Sequence, residues 1–335
     1  MWIWMWRHIW IHMLHVVFAE PIVDVSDVDN LQTVWKQQST AELLDTVHSL
    51  QRSGKYASAE SILDFLLESD PENRAIVQFE VAKNWDLQEK YEIALEVYED
   101  LYQQRLPPDL SLNVAYRRAL MYSNLGYHQK AVRALRWLRY KRLSPTDRRG
   151  VNLAYGSALL MHGNKKGIHI IQKNLQSMQS AHEQTWLQAR ARFTLCSYLL
   201  QEAQQIGLFA DDTLSGNMDL RSNLILDAEK QLRVIMQLQE PEYALRGVEA
   251  IGDALILFYD DMVQIPPPDH FTHSQQLLFT DGIMDKAAIL AHKSLEYYQE
   301  GANYASQLAW VGSVYPRLQR KSLAVKQQLY DAQED

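Results

Sequence analysis

The chain predicts an all-α protein: a superhelical solenoid of antiparallel helix pairs, followed by an irregular C-terminal half of longer helices. Three observations carry this. Three segments repeat one pattern, GKYASAESILDFLLESDP (54–71), EKYEIALEVYEDLYQQRLP (89–107) and GYHQKAVRALRWLRYKRLSP (126–145). In each, a Gly or polar residue is followed by Tyr or His, then Ala, then an apolar helical run closed by Pro. The marker residues Ala59, Ala94 and Ala131 stand 35 and 37 residues apart. A period of that size belongs to helical repeats that bury a continuous core only by stacking. Only 10 Pro and 13 Gly interrupt 335 residues, which suits long helices joined by short turns.

The chain opens MWIWMWRHIWIHMLHVVFAEP, apolar and aromatic, with one Arg and no acid before Glu20. Val17-Phe18-Ala19 before Glu20-Pro21 fits a small-x-small cleavage site. Residues 1–19 are therefore expected to be a signal peptide cut after Ala19, placing the protein in a bacterial periplasm or outside the cell. The alternative keeps the Trp-rich segment as an amphipathic anchor on a membrane surface. Residues 20–38, beginning EPIVDVSDVDN, read as an acidic linker.

Residues 39–182 divide into four units at about 40–73, 75–108, 112–145 and 149–182. In the first, Leu43, Leu44, Val47 and Leu50 share one helical face. Gly54 stops that helix by accepting positive φ. The second helix places Ala59, Ile62, Leu63, Leu66 and Leu67 on one face, and Asp70-Pro71 ends it. The second unit repeats the scheme with Val77, Val81 and Trp85, then Ala94, Val97, Tyr98 and Leu101. The third uses Tyr116, Ala119 and Tyr122, then Ala131, Leu135 and Leu138. The fourth is degenerate: Gly156 and Gly163 persist, but Ile168 falls where Ala is expected.

Residues 183–335 stretch the period and are expected to continue or cap the solenoid. A helix over 183–205 aligns Trp186, Ala189, Phe193, Cys196 and Leu199. GLFADDTLSGNMDLRS then reads as a polar loop, before a helix over 223–239. A helix over 242–262 is broken by Pro266-Pro267-Pro268. Two more, 274–300 and 303–331, are divided at Gly301.

The repeated units resemble the tetratricopeptide repeat family, whose unit is a helix pair of about 34 residues. A small residue in its first helix faces a small Ala in its second. An aromatic follows the turn, and a Pro lies near the end. Ala82, Ala119 and Gly156 stand at the small first-helix position, and Val47 departs from it. Tyr56 and Tyr91 match the aromatic, and His128 replaces it. Pro71 is in place; Pro107 and Pro145 lie one and two residues late. The resemblance covers about 40–182. It implies a right-handed superhelix and a non-enzymatic scaffold for protein–protein interaction, with no cofactor. It also implies a concave face, built by the first helix of each pair, that takes a peptide or partner protein. By position that face holds His48, Gln51, Phe79, Lys83, Asp86, Asn113, Tyr116, Arg117 and Ser157.

Charge narrows the partners further. The net charge of −8 and pI near 5.8 argue against a general nucleic-acid binder. Yet 40–110 holds 15 acids against 6 bases, whereas 111–149 holds 10 bases against one acid. Arg133, Arg136, Arg139 and Arg142 form a basic stripe suited to an acidic protein or an anionic membrane surface, or to a merely solvated face.

Nothing in the chain spells out chemistry. GNKKG (163–167) lacks the spacing of a phosphate loop. GxSxG and HExxH are absent, and adjacent Asp260 and Asp261 point to different faces. The single cysteine, Cys196, lies in an apolar run and is expected in the core. His8, His12 and His15 have helical spacing but fall within the expected leader, so no metal site is expected.

Overall fold

The computed structural model describes residues 34–178, 185–310 and 312–334. The expected leader, with His8, His12 and His15, most of the acidic linker and the close of the fourth unit lie outside the described residues. From Thr40 on, the described residues form thirteen helices and no strand, so the protein is all-α. They are α1 (Thr40–Arg52), α2 (Tyr56–Ser69), α3 (Arg74–Leu87), α4 (Tyr91–Gln103), α5 (Pro108–Asn124), α6 (His128–Arg139) and α7 (Pro145–Met161). There follow α8 (Lys166–Gln176), α9 (Thr185–Gln204), α10 (Leu214–Gln237), α11 (Pro241–Val263), α12 (His273–Gln307) and α13 (Val314–Glu334).

The chain divides into two compact units, Met1–Leu43 and Leu44–Asp335. In the first, Ser39 opens α1 with a capping box. Its backbone N–H donates to Glu42 Oε2 at 2.8 Å, and the Glu42 N–H donates to Ser39 Oγ at 3.4 Å. Each bond satisfies a donor that a helix start leaves open. Everything below concerns the second unit.

Consecutive helices pack in pairs, and the odd-numbered helices also stack on one another, α3 on α5 through to α11 on α13. The even-numbered helices form a second layer outside them. Each of the first four pairs turns through one residue with positive φ: Gly54 (+71°), Glu89 (+63°), Gly126 (+77°) and Gly163 (+81°). Glycine takes this conformation freely, whereas Glu89 pays about 1–2 kcal/mol for its Cβ.

The small residues of the repeat meet at the pair seams. Val47, Ala59, Ala82, Ala94, Ala119 and Ala131 have no exposed surface. In the fourth pair the seam slips by one residue from the expected position at Ile168. Gly167 meets Gly156, and a Cβ on Gly167 would lie 2.3 Å from the Gly156 carbonyl oxygen. The backbones approach so closely that only glycine fits. The prolines also differ from the expected pattern. Pro107 and Pro145 do not close units: Pro107 is the N-cap of α5 and Pro145 opens α7. The missing N–H costs nothing in a first helical turn.

Two further boundaries move in the C-terminal half. The expected polar loop 207–222 is helical from Leu214. Its one strongly polar inward residue, Arg221, is 1% exposed, lies over the Phe258 ring and donates to Asp261 at 2.6 Å. A buried cation conceals a helical face from hydrophobic periodicity. Asp261 is thereby a structural partner. Gly301 does not divide two helices but lies inside α12. A Cβ there would meet Val248 Cγ1 at 2.7 Å and Leu318 Cδ1 at 3.1 Å, so it serves close packing. The chain leaves helical form only after Gln307, at Ala309 with φ +49°.

A ladder aligns α11 with α13. Arg317 pairs with Glu249 at 2.9 Å, Lys321 with Asp253 at 2.7 Å, and Gln328 donates to Asp260 at 2.9 Å. Each rung joins residues 68 apart, so the two helices run parallel, as alternate helices of a stack do.

Candidate functional site

The inner face of the odd-numbered layer holds a groove of about 390 Å3. It gathers five of the residues expected on a concave face: Phe79 and Lys83 from α3, and Asn113, Tyr116 and Arg117 from α5. Trp186 of α9, not foreseen as a groove residue, forms the opposite wall. Asn113 is exposed, the other four are half-buried, and the Tyr116 hydroxyl is buried without a hydrogen-bond partner among the described residues.

The charges around the groove are held in place. Arg117 donates to Asp86 at 3.0 Å and lies 4.5 Å from the Trp186 ring centroid. Burial alone would lower its pKa, but Tyr98 and Asp86 beside it raise it overall, so the guanidinium stays charged. Lys83 donates to Glu80 at 2.8 Å, and His48 Nε2 lies 3.1 Å from the same carboxylate oxygen. Burial works to raise Glu80, but hydrogen bonds and charge from His48 and Lys83 prevail and hold its carboxyl at about 2. Lys83 itself is lowered, chiefly by burial, with Glu80 opposing. Tyr116 is pushed up to about 12 by burial. The groove thus offers two paired cations, the Asp147 carboxylate, an amide, aromatic faces and one unsatisfied hydroxyl.

The remaining expected residues are elsewhere. Gln51, Asp86 and Ser157 are 3%, 6% and 6% exposed, so they do not line an open face. Asp86 is consumed by Arg117. Ser157 lies in α7, where every residue from Leu153 to Leu160 is buried because α8 and α9 pack over it. His48 is occupied with Glu80.

The inner face is partly filled by the chain's own C-terminal half. Glu89 accepts ion pairs from Arg246 at 3.1 Å and Arg317 at 2.9 Å, and a hydrogen bond from Ser313 at 3.0 Å. Arg246 also donates to the Tyr91 hydroxyl at 3.0 Å. Trp310 packs edge-on against Tyr56 and covers Gly54, whose Cβ would lie 2.9 Å from its ring. These contacts offset the left-handed strain at Glu89. A signal for this was present in the sequence, since Glu89 stands at the turn position where the first and third repeats carry Gly.

On the outer layer, Arg133, Arg136 and Arg142 are exposed, and among the described residues no carboxylate pairs with them. Arg139 instead donates to Asn152 at 2.8 Å and stacks 4.5 Å from Tyr155. Trp137 and Tyr140 are 48% and 84% exposed beside them. Cys196 is buried as expected, and burial pushes its thiol up to about 12.

Fold and site together define an all-α protein of stacked helix pairs with a polar and aromatic groove on its odd-numbered layer. No protein-family model matches the chain, and no curated protein is significantly similar to it. Among the described residues, no helix is long and apolar enough to cross a membrane.

Proposed function

We propose that this protein is a non-enzymatic adaptor of tetratricopeptide-repeat type, which seats an extended peptide of a partner protein in its inner groove. The observation that carries this reading is the convergence of Phe79, Lys83, Asn113, Tyr116 and Arg117 with Trp186 around one cavity. Extended peptides need amide and hydroxyl partners for their backbone and aromatic walls for a few side chains, and the groove holds both. The Tyr116 hydroxyl is a donor awaiting an acceptor, since leaving it buried and unpaired costs about 1–3 kcal/mol. Lys83 and Arg117 are already paired with Glu80 and Asp86, and the Asp147 carboxylate lines the same cavity, so the amide and hydroxyl groups would do the recognising.

The test is selection of random peptides on the full chain, followed by affinity measurement. Asn113 lines the groove and is exposed, so Asn113→Trp is expected to fill the cavity with the smallest change to buried packing. Affinity for selected peptides is expected to fall at least about tenfold, which is about 1.4 kcal/mol. Equal binding to wild type and Asn113→Trp would remove the groove from consideration.

A further inference from the structure

The outer layer has a property that the groove does not explain. Repeat-equivalent positions change sign between the outer helices of successive repeats, α4 and α6, which both pack on α5. Glu96 and Glu99 of α4 stand where α6, 37 residues on, carries Arg133 and Arg136. Along α4, Glu92, Glu96 and Asp100 follow at four-residue spacing, and all three are exposed. Such spacing aligns them as one ridge. Along α6, Lys130, Arg133 and Arg136 are exposed in the same way. The helix α5 packs against both α4 and α6, and its Arg118 pairs with Glu99 of α4 at 3.3 Å. Among the described residues, none pairs Glu92, Glu96, Asp100, Arg133 or Arg136. Each ridge also carries exposed apolar groups: Ile93 (45%) and Tyr102 (38%) on α4, Trp137 (48%) on α6 and Tyr140 (84%) just beyond it.

Two parallel ridges of opposite sign are self-complementary. A two-fold axis parallel to the ridges and midway between them lays the acidic ridge of one copy on the basic ridge of the other, twice over. That is the geometry of an isologous interface, in which residue i meets j and j meets i. Exposed ion pairs alone contribute little. The Trp, Tyr and Arg side chains supply the residue types that dominate interface energetics, and the charges set orientation and exclude like-charged alignments. We propose that the α4–α6 face is an interface with a second copy of this chain. It faces away from the groove, so each copy of the dimer keeps its groove open.

Sedimentation of the full chain tests this by charge exchange, from about 1 to about 100 μM protein. A dimer is expected at about 50 mM salt, with dissociation at about 500 mM as screening shortens the reach of the charges. Arg133→Glu with Arg136→Glu should abolish the dimer, and so should Glu92→Lys with Glu96→Lys. Mixing the two variants should restore a dimer, because both reversed ridges again face opposite charge. The restored dimer also shows that both variants fold. A wild-type chain that remains monomeric at low salt overturns the proposal. So does a dimer that survives both reversals. Arg133- and Arg136-dependent capture of a monomeric chain by phosphatidylserine vesicles overturns it too, assigning the basic ridge to a membrane surface instead.

Discussion

The helix pairs α1 to α6 and the long helices α9 to α13 hold together by different means. In the pairs, seams are closed by uncharged residues at fixed register, such as Ala82 against Ala94 and Ala119 against Ala131. Buried polar side chains there, Gln51, Glu80, Asn84 and Asp86, lie on α1 and α3, and their ion pairs join first helices, His48 to Glu80 and Arg117 to Asp86. In the long helices, ionic and polar groups run between elements. Arg221 meets Asp261, Lys293 meets Glu229 at 2.5 Å, and the ladder of α11 and α13 repeats at a constant offset of 68. A short helix with one small residue has one good register against its partner. A helix of 35 residues such as α12 has several nearly equivalent ones, and paired charges remove the wrong ones by leaving them uncompensated.

The largest effect that sharpens this contrast is expected at Arg221. Its side chain is 1% exposed while Asp261 is 41% exposed. Asp261→Ala strands a buried cation and should cost about 3 kcal/mol or more, whereas Arg221→Met leaves a solvated carboxylate and should cost under about 1.5 kcal/mol. Denaturant midpoints of the two variants measure the difference, and equal losses would show that the ion pair does not specify this packing.

A smaller effect is expected at the groove. Glu80 has a folded value of about 2 against an ordinary 4.5. A depressed carboxyl contributes stability above its unfolded value and loses it as pH falls through the folded one. Glu80→Gln should therefore destabilise by about 1–3 kcal/mol at neutral pH, and the gap should close between about pH 5 and pH 2. A pH-independent gap between wild type and variant would mean that His48 and Lys83 do not hold the charge.

The smallest net effect is expected where the two regions meet. Glu89→Gly relieves about 1–2 kcal/mol of left-handed strain and forfeits half-exposed ion pairs worth about 1 kcal/mol each. Global stability should change by less than about 1 kcal/mol. Hydrogen exchange should nevertheless accelerate at the start of α11 and over 308–317, with α3 and α4 unchanged. Unchanged exchange throughout would mean that Trp310 against Tyr56, and not Glu89, closes the junction.

Half of the groove was legible from position alone. Phe79, Lys83, Asn113, Tyr116 and Arg117 recur on one face of successive first helices, and that periodicity survives packing. Gln51, Asp86 and Ser157 share the same face but are buried, because the charges and helices that cover them come from other elements. The same reason hid Trp186. Gly301 and the helix from Leu214 were misread for another cause. A glycine looks alike whether it breaks a helix or admits a neighbour, and a buried Arg looks like surface.

The sequence by itself determined the all-α class, the pair turns at Gly54 and Gly126, the small-residue seams and the split of charge between the second and third repeats. All of these are local, since helical period, turn conformation and residue type act within a few tens of residues. Only the tertiary structure decided what closes the inner face. Arg246 reaches Tyr91 across 155 residues and Arg317 reaches Glu89 across 228. Contacts of that separation depend on how each pair rotates on the one before it, and small rotations accumulate along a stack until its ends meet.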